Sequence, residues 1–185
     1  MRYEVHGFAG LGYPFTRGGI WALDKLIDEL PDKAESTPHP HGDWDEVADG
    51  IVARSKAFND KPVVCLFGHS WGCLTMLYLA RRLQSNGIGV EYLAAIDPTA
   101  LVTGSPPMLV PTNVRHVDEF WSTKGIFNFP KGARRRDPSG KAGGKYVYPK
   151  DMSHEIFPVP AGHIATASHK ITVDRIVDQI AGIIE

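Results

Sequence analysis

Only two cysteines occur among the 185 residues, Cys65 and Cys73. That excludes a disulfide-stapled scaffold, and a bridge between two residues flanking one tight turn would distort it, so both are expected as free buried thiols. Charge of one sign is missing too. Twenty Lys and Arg stand against 21 Asp and Glu, and the net charge of −1 gives no general attraction to nucleic acid or an anionic membrane. No apolar run approaches the length of a membrane span. Met1-Arg2-Tyr3-Glu4-Val5-His6-Gly7 lacks the basic-then-apolar layout of a signal peptide, which points to a cytoplasmic protein. There is no internal repeat, and no phosphate-cradling glycine loop or dinucleotide fingerprint follows a strand, so no nucleotide cofactor is expected. His39-Pro40-His41 with Asp43 and Asp45 matches no strong metal-ligand spacing and reads as a solvated loop. No metal and no other cofactor is expected, and nothing indicates an oligomeric state.

What is present is ordinary globular composition, 43% hydrophobic and 22% charged, of a length that suits one domain over residues 1–185. Tyr3 to His6 reads as a strand running into a glycine turn. Ile20, Leu23, Ile27 and Leu30 recur at helical spacing from Gly19 to about Leu30. Glu35 to His41 interrupts. A helix then starts near Asp43, where Asp43 and Glu46 have the spacing of an acidic capping box, with Trp44, Val47, Ile51 and Val52 on its buried face. Val63-Val64-Cys65-Leu66-Phe67 is an unbroken apolar run suited to a central parallel strand. Cys73, Met76, Leu77, Ala80 and Leu83 define the next helix, ended by Asn86-Gly87. Val90 to Ile96 is apolar again and closes on Asp97-Pro98. Asn113 to Phe120 is a weaker strand candidate, because Val114, Val117 and Phe120 fall three apart. Pro130 to Lys150 is glycine-rich and basic and reads as a long loop, and Thr172 to Ile184 as the last helix. This alternation predicts an α/β fold, a three-layer sandwich with a mostly parallel central sheet.

The sharpest feature is Gly68-His69-Ser70-Trp71-Gly72, a Gly-x-Ser-x-Gly pattern. Chance alone produces such a pentapeptide in roughly one chain of this length in ten or twenty. Its context separates it from an incidental glycine-flanked turn, since a buried-strand pattern precedes it and an amphipathic helix follows. A serine on a tight strand-to-helix turn stands above the sheet, and the small residues at 68 and 72 let strand and helix pass. The helix N-terminus also sets partial positive charge beside an oxyanion forming on a bound carbonyl.

Val63 to Leu83 resembles the nucleophile elbow of the α/β-hydrolase superfamily, which includes lipases, esterases and thioesterases. His6-Gly7-Phe8-Ala9-Gly10 resembles the histidine-glycine turn where that superfamily builds its oxyanion hole, and the similarity extends over nearly the whole chain. The chain starts at the strand that usually comes third and has no insertion suited to a helical cap. It therefore resembles the small lipase- and esterase-like members, a minimal α/β-hydrolase fold. The resemblance implies Ser70 as nucleophile, an oxyanion hole from the Phe8 and Trp71 N–H groups, and a chain order of serine, acid, histidine. Asp97, at the carboxyl end of an apolar strand, is the expected acid. Asp118 competes, while Asp137 and Asp151 sit in loops. His163, in a glycine-containing loop before the last helix, is the expected base, with His169 and then His154 as competitors.

The expected activity is cleavage of a small-molecule ester or thioester through an acyl-enzyme. A non-catalytic binding or structural protein that keeps the fold is the alternative. Gly104 to Pro111 and Pro130 to Lys150 are the segments that could cover the site. Within the second, Arg134, Arg135 and Arg136 belong to a local basic excess that suits either a solvated loop or an anionic substrate.

Overall fold

A computed structural model describes residues 1–10, 23, 26–98, 108–124 and 146–185. In chain order its elements are β1 (Tyr3–Phe8), β2 (Glu35–His39), α1 (Trp44–Phe58), β3 (Val63–His69), α2 (Gly72–Gln84), β4 (Val90–Ile96), β5 (Met108–Leu109), β6 (Val114–Ser122), β7 (Tyr146–Val147), β8 (Ser153–Val159) and α3 (Lys170–Ile184). Six strands form one parallel sheet in the order β2-β1-β3-β4-β6-β8, and β5 pairs with β7 separately. Helices cover both faces, the three-layer α/β arrangement expected.

The central strands are buried on both sides, so their sequences are nearly all apolar. Val64 and Leu66 of β3 face α1 and α2, together with Phe8, Leu93 and Val117. Cys65 and Phe67 face the other way, onto Val173, Ile176 and Ile180 of α3 and onto Leu23 and Leu26. Each fully buried side chain of this size contributes about 1.5–3 kcal/mol by leaving water. Both cysteines are free and buried. Burial, reinforced by the charge of Glu91, pushes the Cys65 thiol up to about 12. Of the helix expected from Gly19, Leu23 and residues 26–28 are helical and the remainder to residue 25 lies outside the described residues. No helix among the described residues is long and apolar enough to cross a membrane.

Three expectations need correction. Residues 35–39, within the stretch taken as an interruption, form an edge strand that among the described residues pairs with β1 alone. Ser153–Val159 forms the opposite edge, where no strand was expected. Edge strands face solvent and tolerate proline where no ladder bond is owed, so Pro38 and Pro158 mask both in the sequence. The capping box of α1 does not form either. Asp43 is the N-cap residue but its side chain makes no cap bond, while Asp45 accepts from the Glu46 N–H at 3.0 Å. The β6 strand does form, and its broken apolar pattern has a cause. Asp118 and Glu119 lie fully buried within it, each satisfied by side-chain hydrogen bonds.

Candidate active site

The turn from β3 into α2 is built by close backbone approaches. A Cβ on Gly68 would lie 2.6 Å from the Gly72 carbonyl oxygen, and one on Gly72 would lie 2.0 Å from that of Phe8. Only glycine fits such gaps. Between them Ser70 adopts φ +57, a left-handed conformation that costs a non-glycine residue energy and recurs at functional turns. Its N–H donates to the Ile96 carbonyl at 2.9 Å, which ties the elbow to the end of β4.

The next residue after β4 is Asp97, also left-handed at φ +44, with its N–H on the Phe120 carbonyl at 2.7 Å. Ser122, at the end of β6, donates its hydroxyl to Asp97 Oδ2 at 2.6 Å and its N–H to Oδ1 at 3.3 Å. Oδ2 also lies 2.6 Å from His163 Nδ1, and His163 Nε2 lies 3.0 Å from Ser70 Oγ. Serine, imidazole and carboxylate thus form one unbroken row at the carboxyl end of the sheet. Burial pushes the Asp97 carboxyl up, but the bonds from His163 and Ser122 outweigh it and leave its pKa below the ordinary value. Asp97 is therefore ionised at neutral pH and accepts the Nδ1–H of His163, leaving Nε2 bare toward the serine. The loop carrying His163 is closed by Thr166, whose N–H and hydroxyl both donate to the Gly162 carbonyl at 2.9 Å.

The competitors sit elsewhere. His169 is the N-cap of α3, its Nδ1 accepting from the Ile171 N–H at 3.2 Å. His154 stacks on Tyr148 on the exposed edge strand. Asp118 is held by Tyr92, His116 and Arg175 at 2.9, 2.7 and 2.8 Å, a cluster fastening α3 to the sheet. A second serine–histidine–aspartate row runs through it, since Ser153 Oγ lies 2.8 Å from His116 Nδ1. Its serine is exposed on an edge strand, away from any elbow, and Arg175 already neutralises its carboxylate. Asp151 is exposed in a turn. Asp137 and the run Arg134 to Arg136 lie outside the described residues, as do residues 104–107 of the first candidate cover and 130–145 of the second.

Among the described residues the Trp71 N–H makes no hydrogen bond. Phe8 closes β1 in register with His39 and Gly68. The Ala9 N–H goes to the His39 carbonyl, at 3.0 Å, so parallel-strand alternation turns the Phe8 N–H toward β3. The Trp71 ring walls a cavity of about 150 Å³, lined also by His41, Trp44, Leu74, Thr75 and Tyr78. His39 lies in β2, its Nε2 3.0 Å from His6 Nδ1. Three neighbours of the row escaped sequence reasoning. Ser122 holds the carboxylate, the His69 Nε2–H donates to the His163 carbonyl at 2.9 Å, and a Cβ on Gly10 would lie 2.8 Å from Ser70 Cβ. Gly10 and His69 stood in local motifs, the histidine-glycine turn and the elbow pentapeptide, without these contacts being foreseen; Ser122 had no local signal.

A parallel six-stranded sheet with helices on both faces and a strand-to-helix elbow after its third strand in chain order define an α/β-hydrolase fold. The profile of the thioesterase domain family matches residues 22–121. The chain belongs to that family. Its structure is similar to that of human thioesterase 2, at TM-score 0.60 and 13% identity over 98% of this chain and 97% of the other. ClbQ from the colibactin pathway gives 0.57 and 10% over the whole of both chains. RedJ, a thioesterase from the prodiginine pathway of Streptomyces coelicolor, gives 0.51 and 11%, covering 97% of this chain and 85% of its own. At such identities the likeness is one of fold. No curated protein matches the sequence.

Proposed function

We propose that this chain is a serine thioesterase acting through an acyl-enzyme, with Ser70 as nucleophile, His163 as base and Asp97 as the acid that orients it. The observation that carries the reading is the continuous row from Ser70 Oγ through the His163 ring to Asp97, at 3.0 and 2.6 Å. As Ser70 Oγ bonds to the thioester carbonyl carbon, its proton passes to His163 Nε2, and Asp97 stabilises the imidazolium. The tetrahedral oxyanion is received by the Trp71 N–H, with Phe8 as the second donor on the family pattern. Phe8 serves only if its N–H leaves the β1–β3 ladder when substrate binds. Collapse of the intermediate breaks the C–S bond, and the thiol departs with the proton from His163. Water, deprotonated by the same nitrogen, then releases the carboxylic acid and restores Ser70.

Residues 1–185 act as one domain in this reading. The cavity beside Trp71 receives the acyl end, and about 150 Å³ of apolar space suits a group of benzene size. Acyl thioesters and p-nitrophenyl esters of graded chain length test the substrate class. Short or single-ring acyl thioesters are expected to give the highest kcat/KM, with all turnover lost in Ser70→Ala. Ester turnover with inert thioesters would overturn the thioesterase assignment, and folded protein inert to both would favour a non-catalytic role.

A further inference from the structure

His69 stands between the elbow and the loop of His163, and the mechanism above leaves it unused. It is 4% exposed, its Nε2 bonds the His163 main-chain carbonyl 94 residues along the chain, and the two ring centroids lie 4.8 Å apart. A carbonyl oxygen only accepts, so the hydrogen sits on Nε2. Nδ1 is buried without a partner among the described residues. Burial first, and the charge of His163 next, push the His69 pKa down to about 4, so the ring is uncharged at neutral pH. An unpaired buried polar atom is destabilising, and a phenyl or isobutyl group would fill this space without that cost. What the imidazole offers in return is one N–H aimed at the backbone of the residue that must meet Ser70.

We propose that His69 is a positioning residue for the base. Its Nε2–H fixes the His163 main chain, and its ring backs the imidazole. Together they keep Nε2 of His163 at bonding distance from Ser70 Oγ while Nδ1 stays on Asp97. A neutral ring suits this task, because a second cation would oppose the imidazolium formed during attack. The inference rests on the roles proposed above for Ser70 and His163.

The test compares His69→Phe and His69→Leu, which fill the space without a donor, with His69→Gln, whose amide carries an N–H to similar reach. Thioester kcat and KM, the rate of labelling by a fluorophosphonate and the melting temperature are measured for each. The two apolar variants should lose about ten- to hundredfold in kcat and labelling rate, the scale of a misplaced reacting group. Their KM should stay within about twofold, since ground-state binding is untouched. His69→Gln should recover most of the loss. Wild-type kcat in a folded apolar variant, or no recovery by glutamine, overturns the proposal. If neither apolar variant folds, His69→Asn, whose amide is too short to reach the carbonyl, is judged by the same criterion. An inactive His163→Ala beside a fully active His69→Phe overturns this inference alone, whereas a fully active His163→Ala removes the base assignment and this proposal with it.

Discussion

Replacing Asp97 by asparagine changes one atom and separates orientation from folding. The Ser122 N–H at 3.3 Å from Oδ1 requires an acceptor there, so the new amide nitrogen takes the place of Oδ2. That nitrogen would face His163 Nδ1, now 2.6 Å from Oδ2, and donate to it. Nδ1 must then be the bare nitrogen and Nε2 the protonated one, which cannot take the proton of Ser70. Losing the correct tautomer in a serine–histidine–aspartate triad costs about 10⁴ in kcat, or about 5.5 kcal/mol of barrier. The backbone has no comparable objection. Asparagine tolerates the left-handed conformation at φ +44. We therefore expect Asp97→Asn to melt within a few degrees of wild type and to lose about four orders of magnitude in thioester kcat near neutral pH. Asp118→Asn is the control. It removes the buried carboxylate facing half-buried Arg175, which keeps Glu155 at 3.2 Å, and should cost about 1–3 kcal/mol of stability while the folded fraction stays active. An active Asp97→Asn beside an inactive but folded Asp118→Asn would refute the assignment of the acid.

Gly72→Ala should destabilise the protein by about 3 kcal/mol or more in urea, because its Cβ meets the Phe8 carbonyl oxygen at 2.0 Å. Wild-type stability would mean that β1 does not press on the elbow. Burial raises the Glu4 carboxyl, but bonds from His6 and Arg54 outweigh it and hold the pKa at about 2 instead of 4.5. The stability this supplies, about 3 kcal/mol, is complete above pH 4.5 and is lost as pH falls toward 2. Glu4→Gln should therefore be less stable than wild type at pH 7, with a gap that closes between pH 4.5 and 2. A gap independent of pH would contradict the linkage. Trp71→Ala removes one wall of the cavity and should raise kcat/KM for long acyl thioesters relative to short ones by about tenfold. An unchanged chain-length profile would place the acyl group elsewhere.

What the sequence made legible follows from what local pattern records. The apolar runs Val63 to Phe67 and Tyr92 to Ile96 mark strands buried on both faces, and each leads into a functional candidate, Ser70 and Asp97. His163 was legible through chain order and a glycine before a terminal helix. The edge strands were not, because polar residues and prolines at a solvated edge satisfy no apolar period. Nor were Ser122 and His69. Their partners lie 25 and 94 residues away, and a contact made only by tertiary packing has no local signature. Asp118 shows the converse hazard. An aspartate near the end of a strand suits a triad, yet the pairing that claims it comes from Arg175, on a helix 57 residues later.

The central claim is that Ser70 is an activated nucleophile, and covalent capture tests it most directly. Intact mass and peptide mapping after treatment with a fluorophosphonate should find a single adduct on Ser70. The adduct should be absent in Ser70→Ala and strongly slowed in His163→Ala, both still folded. Folded wild-type protein without an adduct, or an adduct on Ser153 in place of Ser70, would contradict the account.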